Sequence, residues 1–136
     1  MVGVLIVCHC DLAQEFLKTL ELIIGPVERF HAISIDPQQN VESIRSEISS
    51  ALKKVDVGDG ALVLTDMFGG TPSNISLSFL DEKKVEVISG VNLPMLIKLA
   101  SFREGKNLEE LASFIKAYGQ KNISIASEIL RSRGKK

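Results

Sequence analysis

The chain has 136 residues, which suits a single domain over residues 1–136 with a proper hydrophobic core. Its net charge is −1 and aromatic residues make up 5% of it, so neither charge nor stacking rings indicate a nucleic-acid partner. The apolar stretch at 2–7 is too short for a membrane span or a signal sequence, and we expect a cytoplasmic protein.

Four short apolar runs predict β-strands that are buried on both faces. They lie at residues 2–7, 29–35, 61–66 and 84–89. Apolar strands that alternate with helices are typical of a parallel sheet covered on both sides. We therefore expect an α/β fold, with a mostly parallel four-stranded sheet and helices on both faces.

Helical patterns fill the spaces between these runs. Apolar residues recur at helical spacing over 12–24 and 41–55, which predicts two helices with core-facing stripes. Pro72 and Pro94 stand at first helical positions, predicting helices from 72 to about 80 and from 94 onwards. "NLEE" at 107–110 resembles a capping box that begins a further helix. The segment from residue 120 is expected to be helical, then disordered and basic from about residue 131.

Two polar side chains stand where predicted strands end. Ligands of open α/β sheets bind outside the carboxyl ends of the strands. His9 follows the first strand and Asp66 ends the third, whereas His31 stands near the start of the second. The rule therefore favours His9 as the functional histidine, and His31 is interpreted as a partly exposed strand residue.

His9 directly precedes the helix predicted over 12–24. Asp11 or Cys10 would be its N-cap, and Gln14 could complete a capping box with Asp11. The helix dipole favours a neutral imidazole, which can attack phosphorus, and favours an anion attached to it. Asp66 could either cap its own turn or accept the N–H of His9 and so fix the tautomer.

The loop "DMFGGTPSN" at 66–74 offers backbone N–H groups and hydroxyls to an oxyanion. Gly69 and Gly70 permit close approach of the backbone, and Thr71 is the expected N-cap before Pro72. The loop is not a Walker loop, because no Gly-Lys-Ser/Thr follows it, and it is not a dinucleotide fingerprint, because its glycine spacing differs. A well-capped turn without a ligand fits the same spacing.

Cys8 and Cys10 flank His9, and their pattern permits three interpretations. Cys-x-Cys with one histidine falls short of a zinc site, because the sequence offers no second ligand pair. Both thiols could be small apolar fillers. Alternatively, oxidation of Cys10, or of Cys8 beside it, could modulate His9, since a cysteine near a helix start can be reactive.

Three stretches of the chain resemble the enzyme IIA domain of the mannose-type sugar phosphotransferase system. They are "HCDLAQEFLKTLELIIG" (9–25), "LVLTDMFGGTPSN" (62–74) and "EVISGVNLPML" (86–96). The resemblance covers nearly the whole chain. It departs from the family at Cys8 and Cys10, where the family commonly has a small or hydroxyl residue and a glycine.

The resemblance implies a role as phosphoryl carrier. His9 would accept a phosphoryl group from the carrier protein HPr and pass it to a IIB component, which serves the membrane IIC and IID components. Asp66 would orient the imidazole through Nδ1, and the Thr71 hydroxyl would lie near the phosphate. From the loop residues themselves, we expect Gly69, Gly70 and Ser73 to bind the phosphate as well.

The same resemblance implies no metal or organic cofactor, and a homodimer that exchanges an edge strand. Two alternatives remain open at this stage. The chain could be a regulatory module whose phosphorylation state is read without sugar transport. It could also be the related phosphocarrier subunit of dihydroxyacetone kinases, although the intact Gly-Gly-Thr-Pro-Ser-Asn loop favours the sugar-type family.

Overall fold

A computed structural model describes residues 1–81 and 84–134. Within these residues, four strands form one sheet, and neighbouring strands all run parallel. The strands, in chain order, are β1 (Gly3–His9), β2 (Phe30–Ile35), β3 (Ala61–Thr65) and β4 (Val85–Ser89). Their order across the sheet is β2-β1-β3-β4. The expected four-stranded parallel sheet is therefore confirmed.

Helices follow each strand, as the alternating pattern predicts. They are α1 (Leu12–Ile24), α2 (Val41–Val55), α3 (Thr71–Leu77), α4 (Leu93–Phe102), α5 (Leu108–Lys121) and α6 (Ala126–Gly134). Asn107 is the N-cap of α5, because its side chain accepts the backbone N–H of Glu110 at 2.8 Å. The Glu110 carboxylate accepts from the Asn107 side chain instead of its backbone N–H, so the capping box predicted at 107–110 is only half formed.

Two apolar cores lie on opposite faces of the sheet. Val4 and Ile6 of β1 pack in the core that α1, α4 and α5 cover, whereas Leu5 and Val7 pack in the core beneath α2 and α3. Successive side chains of a strand point to opposite faces, so a continuous apolar run fills both cores. The prediction of helices on both faces is confirmed.

The strand order places a crevice at the carboxyl ends of β1 and β3. The chain leaves β1 towards β2 on one side and leaves β3 towards β4 on the other. Loops that depart in opposite directions leave an opening between adjacent strand ends, and this opening is where ligands of open α/β sheets bind.

Several predicted boundaries need correction. The first strand continues to His9, which is therefore part of β1 instead of lying beyond it. Helix α3 ends at Leu77 instead of about residue 80, and turns follow it. Residues 131–134, which we expected to be disordered, form the last turn of α6, while residues 135–136 lie outside the described residues.

The apolar stripe of α1 is less buried than its spacing predicts. Leu20 is fully buried, and Phe16 and Leu17 pack partly against the core, but Leu12, Ile23 and Ile24 are exposed. A single helix layer over the sheet leaves the flanks of a wide stripe in solvent. In the part of the chain that the structure describes, no helix is both long and apolar enough to cross a membrane.

Candidate functional site

His9 and Asp66 stand side by side at the carboxyl edge of the sheet. His9 is the last residue of β1, and Asp66 follows Thr65, the last residue of β3, which pairs with Val7. Nδ1 of His9 lies 2.7 Å from Oδ2 of Asp66. The backbone N–H of His9 donates to the same oxygen at 3.0 Å. The carboxylate therefore holds both the ring and the backbone of His9.

The protonation of Asp66 decides which ring nitrogen is free. Burial on its own would raise the pKa of Asp66, but hydrogen bonds from the backbone and ring of His9, its charge and the Met67 N–H together hold that pKa below the ordinary value. Asp66 is thus a carboxylate at neutral pH and can only accept, so Nδ1 of His9 is the donor. In a neutral imidazole the lone pair then lies on Nε2.

Asp66 also stabilises its own turn. Its second oxygen, Oδ1, accepts the backbone N–H of Met67 at 3.0 Å. The two roles that the sequence left open for Asp66 are therefore combined in one side chain.

The glycine loop packs against the reactive edge of the imidazole. A Cβ built on Gly70 would lie 2.7 Å from Cε1 and 3.1 Å from Nε2 of His9, closer than side chains tolerate. Only a glycine lets the start of α3 approach the ring so closely. Gly70 is the N-cap of α3, and Thr71 is its first helical residue. The prediction that Thr71 is the N-cap is therefore wrong by one residue, because the tight approach to His9 requires glycine at the cap.

Thr71 and His9 line a common cavity of about 270 Å³. Thr71 is exposed, so its side chain is accessible from solvent at the mouth of the site. The backbone N–H groups in the first turn of any α-helix lack acceptors within the helix. The start of α3 therefore presents donors of the kind that bind phosphate oxygens, beside Nε2.

Ser73 does not present its side chain to this cavity. It is fully buried, and its Oγ lies 3.4 Å from Oγ of Ser89, the last residue of β4. Its predicted role as a phosphate-binding hydroxyl is therefore corrected to a buried contact beneath the loop. The sequence pattern did not single out Thr65 and Ser89 as partners of this loop. Both are hydroxyl residues at the ends of apolar strands, and that position was the available signal.

The expected cap of α1 is also different. Asp11 occupies the N-cap position, but its side chain makes no capping hydrogen bond to any described residue. Gln14 instead donates through Nε2 to the backbone oxygen of Ala32 in β2. Cys10 has a φ of 52°, so the chain turns through a left-handed residue between β1 and α1. Asp11 itself has a φ of −91° and a ψ of 8°, outside the extended conformation that N-cap residues usually adopt, so its side chain does not cap α1.

The two cysteines lie in different environments. Cys8 is fully buried in the core beneath α1, and burial, together with the charge of Asp66, raises its pKa to about 12. Cys10 is exposed and lines the cavity with His9. Across residues 1–81 and 84–134, no three His, Cys, Asp or Glu side chains converge on a point that could hold a metal ion. The alternative of a metal site at Cys8, His9 and Cys10 therefore finds no geometric support.

His31 lies away from this site. It is the second residue of β2, opposite Leu5 in the strand register, and is half-buried as expected. Asn92, which follows β4, caps α4 by accepting the Met95 N–H at 3.1 Å, and it donates to the backbone oxygen of Gly119. The carboxyl edge of the sheet thus brings His9, Asp66 and Thr71 together.

Comparison with known proteins identifies the family. A family model described as the fructose IIA component of the phosphotransferase system (PTS), within the EIIA-man family, matches residues 3–116. The chain is 30% identical over 131 residues to the PTS system fructose-specific EIIA component of Bacillus subtilis (strain 168), covering 96% of this chain and 90% of that protein. It is 29% identical over 133 residues to the PTS system sorbose-specific EIIA component of Lacticaseibacillus casei, covering 97% and 96%.

Solved structures agree with this assignment. The crystal structure of phosphotransferase system component EIIA from Streptococcus agalactiae matches with a TM-score of 0.84 at 28% identity, covering 94% of this chain and 99% of that chain. The mannose/sorbose-specific IIA subunit from Enterococcus faecalis matches with a TM-score of 0.81 at 25% identity, covering 91% and 93%. The chain therefore belongs to the mannose-type EIIA family of the sugar phosphotransferase system.

Proposed function

We propose that this EIIA component is a cytoplasmic phosphoryl carrier, which accepts a phosphoryl group from phospho-HPr on His9 and passes it to a IIB component. The observation that carries this proposal is the hydrogen bond between Nδ1 of His9 and Asp66. It leaves Nε2 as the nucleophile beside the glycine loop. The membrane IIC and IID components would receive the group only indirectly, through IIB.

The chemistry follows from this geometry. The Nε2 lone pair attacks the phosphorus of the donor phosphohistidine, a new N–P bond forms, and the donor N–P bond breaks with its electrons returning to the donor ring. Positive charge that develops on the His9 imidazole is stabilised by the Asp66 carboxylate. The N–H groups of the loop at Gly69 and Gly70 and the Thr71 hydroxyl stabilise the phosphoryl oxygens. Transfer to IIB reverses these steps, with a IIB side chain as the nucleophile.

The test is phosphorylation followed by intact mass spectrometry. The protein is incubated with phosphoenolpyruvate, enzyme I and HPr, beside the variants His9→Ala and His31→Ala. We expect one acid-labile phosphoryl group on the wild type and on His31→Ala, and none on His9→Ala. Because the chain has two histidines, His31→Ala is the matched control. Unphosphorylated wild type with a competent HPr, or a phosphorylated His9→Ala variant, would refute the proposal.

A second step separates a carrier from a regulatory module. Phosphorylated protein is mixed with a IIB component of the mannose family, and loss of the group from His9 is followed by mass. A carrier transfers the group to IIB within the mixing time of the assay. A regulatory module would keep it, apart from slow hydrolysis.

We also propose the family's homodimer with an exchanged edge strand. β4 lies at the edge of the described sheet, and its free side borders a cavity lined by α5 and Ile123. The segment that follows α5 carries exposed apolar side chains: Ile123, Ile125, Ile129 and Leu130. The unpaired edge of a strand can form hydrogen bonds with a strand from a second copy of the chain. The exposed apolar segment can be buried in the same interface, across a two-fold axis.

Light scattering after size exclusion tests the dimer. The wild type should elute at twice the chain mass of 14.9 kDa, and the double variant Ile123→Asp/Ile125→Asp should elute as a monomer. The matched control is Leu22→Asp, since Leu22 is 86% exposed on α1, away from β4. A monomeric wild type would refute the exchange.

A further inference from the structure

Three hydroxyl side chains meet beneath the glycine loop. Oγ1 of Thr65 donates to Oγ of Ser89 at 2.9 Å, and Oγ of Ser89 lies 3.4 Å from Oγ of Ser73. Thr65 and Ser73 are fully buried, and Ser89 is half-buried. We call these three residues the hydroxyl cluster. These polar side chains lie next to the apolar core, where a buried hydroxyl needs a hydrogen-bond partner.

The hydroxyl cluster joins three elements at the carboxyl edge of the sheet. Thr65 ends β3, Ser89 ends β4, and Ser73 lies in the first turn of α3. The backbone oxygen of Thr65 also accepts the N–H groups of Gly90 and Val91, each at 3.0 Å. Thr65 is thus tied to the β4–α4 loop through its backbone and to α3 through Ser89.

The start of α3 has few other polar anchors. Its N-cap, Gly70, has no side chain, and Pro72 has no N–H to donate. Asn74 reaches back to the Gly69 oxygen only at 3.5 Å. Asn74 bonds within the loop, so among the described residues the contact of Ser73 with Ser89, at 3.4 Å, is the side-chain polar contact that joins this turn to the strands.

That height sets the geometry at His9. A Cβ on Gly70 would lie 3.1 Å from Nε2 of His9, so the start of α3 is in contact distance of the reacting atom. Ser73 is three residues further along the same helix, one turn away. A shift of this turn by a few tenths of an ångström would move the Gly70 backbone and Thr71 relative to a phosphoryl group on Nε2.

We propose that the hydroxyl cluster of Thr65, Ser73 and Ser89 positions the start of α3 for phosphoryl transfer at His9. The inference rests on the proposed carrier function. Ser73 and Ser89 are positioning residues, because they act on the phosphoryl group only through the loop. Loss of their contact lowers the rate of transfer and leaves the docking of the donor unchanged, since Ser73 is fully buried and neither serine lines the cavity beside His9.

The test compares the rates of serine-to-alanine variants over a range of phospho-HPr concentrations up to saturation. We expect Ser73→Ala and Ser89→Ala to lower the maximal rate of His9 phosphorylation by about three- to tenfold, the effect of one buried hydrogen bond, at unchanged KM for phospho-HPr. Ser89→Thr, which restores a hydroxyl at a strand position that suits a β-branched residue, should recover the rate. Ser89→Ala also removes the acceptor of the Thr65 hydroxyl. The double variant should therefore lose no more than Ser89→Ala alone, because Ser89→Ala already breaks the contact with Ser73.

Ser76→Ala is the matched control. Ser76 is fully buried on the same helix, and its hydroxyl has no hydrogen-bond partner among the described residues. It should therefore keep the wild-type rate. Wild-type rates in Ser73→Ala and Ser89→Ala, an equal loss in Ser76→Ala, or a changed KM would overturn the inference. Failure of the carrier proposal is distinguishable, since the wild type itself would then take up no phosphoryl group.

Discussion

One oxygen of Asp66 accepts two hydrogen bonds from His9, at 2.7 Å from ring Nδ1 and at 3.0 Å from the backbone N–H. The first bond selects the tautomer, and the second fixes the strand end from which the ring projects. An imidazole held at both points has little freedom to rotate, so Nε2 faces the Gly70 backbone in a fixed orientation. Such preorganisation is what efficient group transfer requires.

Asp66→Asn removes the negative charge and keeps the size of the side chain. An amide can present its NH₂ to Nδ1 and so stabilise the wrong tautomer, with the proton on Nε2. We expect the rate of His9 phosphorylation to fall by roughly a hundredfold or more. Asp36→Asn is the control, because Asp36 lines the cavity beside His9 and its Oδ1 accepts the N–H of Gln38. Equal rates in the two variants would contradict the role of Asp66.

The lowered pKa of Asp66 predicts a pH-dependent stability. A carboxyl whose pKa is lower in the folded than in the unfolded state stabilises the fold above its unfolded value, and this contribution is lost as the pH falls through the folded value. The ordinary value is 3.8. The free energies of unfolding of the wild type and Asp66→Asn should therefore differ at pH 7 and approach each other below about pH 3.8. Urea denaturation at pH 7 and pH 3 measures this, and a gap independent of pH would exclude it.

Gly70→Ala and Gly69→Ala should separate catalysis from stability. Gly70 has a φ of −88°, which alanine adopts freely, but its new Cβ would strike His9. Gly69 has a φ of +91°, which strains any other residue, whereas its Cβ would meet no described atom within 4 Å. We expect Gly70→Ala to lower phosphorylation at least tenfold, and Gly69→Ala to cost about 1 kcal/mol of stability. Phosphorylation rates and thermal unfolding of both variants give the comparison, and a fully active Gly70→Ala would contradict the close approach.

The two cysteines should differ in reactivity. Iodoacetamide should alkylate exposed Cys10 in the native protein, with a new S–C bond and loss of iodide. Buried Cys8, with its pKa of about 12, should react only after unfolding. An alkyl group on Cys10 would occupy the cavity beside His9, so the alkylated protein should not be phosphorylated. Peptide mass mapping and the phosphorylation assay measure both effects.

Cys10→Ser is the control for this experiment and should be phosphorylated with or without iodoacetamide. Loss of phosphorylation with peroxide or diamide in the wild type, and not in Cys10→Ser, would extend the effect to redox control. Normal phosphorylation of the alkylated wild type would instead contradict a role for Cys10 at the site and favour the interpretation of both cysteines as small apolar side chains.

Arg103 is predicted to be a structural cation far from solvent. It is 3% exposed, donates to the backbone oxygens of Val2, Glu28 and Arg29, and stacks on Phe30. Arg103→Met removes the side-chain donor of the Val2 and Glu28 carbonyls, whereas the Arg29 carbonyl keeps the N–H of Val4. The change should cost about 3 kcal/mol of stability. Lys106→Met, which removes a more exposed cation over an aromatic ring, should cost at most about 1 kcal/mol. Urea denaturation of both variants checks this, and equal losses would refute it.

The sequence by itself determined the architecture and indicated the two candidate site residues that the structure brings together. Apolar runs such as 61–65 predicted buried parallel strands because both of their faces need apolar cover, and His9 and Asp66 followed from their places at strand ends. The distinctive spacing of the glycine loop indicated the family, since it reflects backbone requirements that few other residues meet.

Only the tertiary structure decided which side chains face the site. Ser73 and Thr71 are two residues apart in the same loop, yet one is buried against Ser89 and the other lines the cavity. Gln14 of α1 donates to the backbone oxygen of Ala32 in β2 instead of capping its own helix. Local spacing cannot predict such outcomes, because each depends on a partner distant in sequence. The hydrogen bond from His9 to Asp66 spans 57 residues and forms only once β1 and β3 pair.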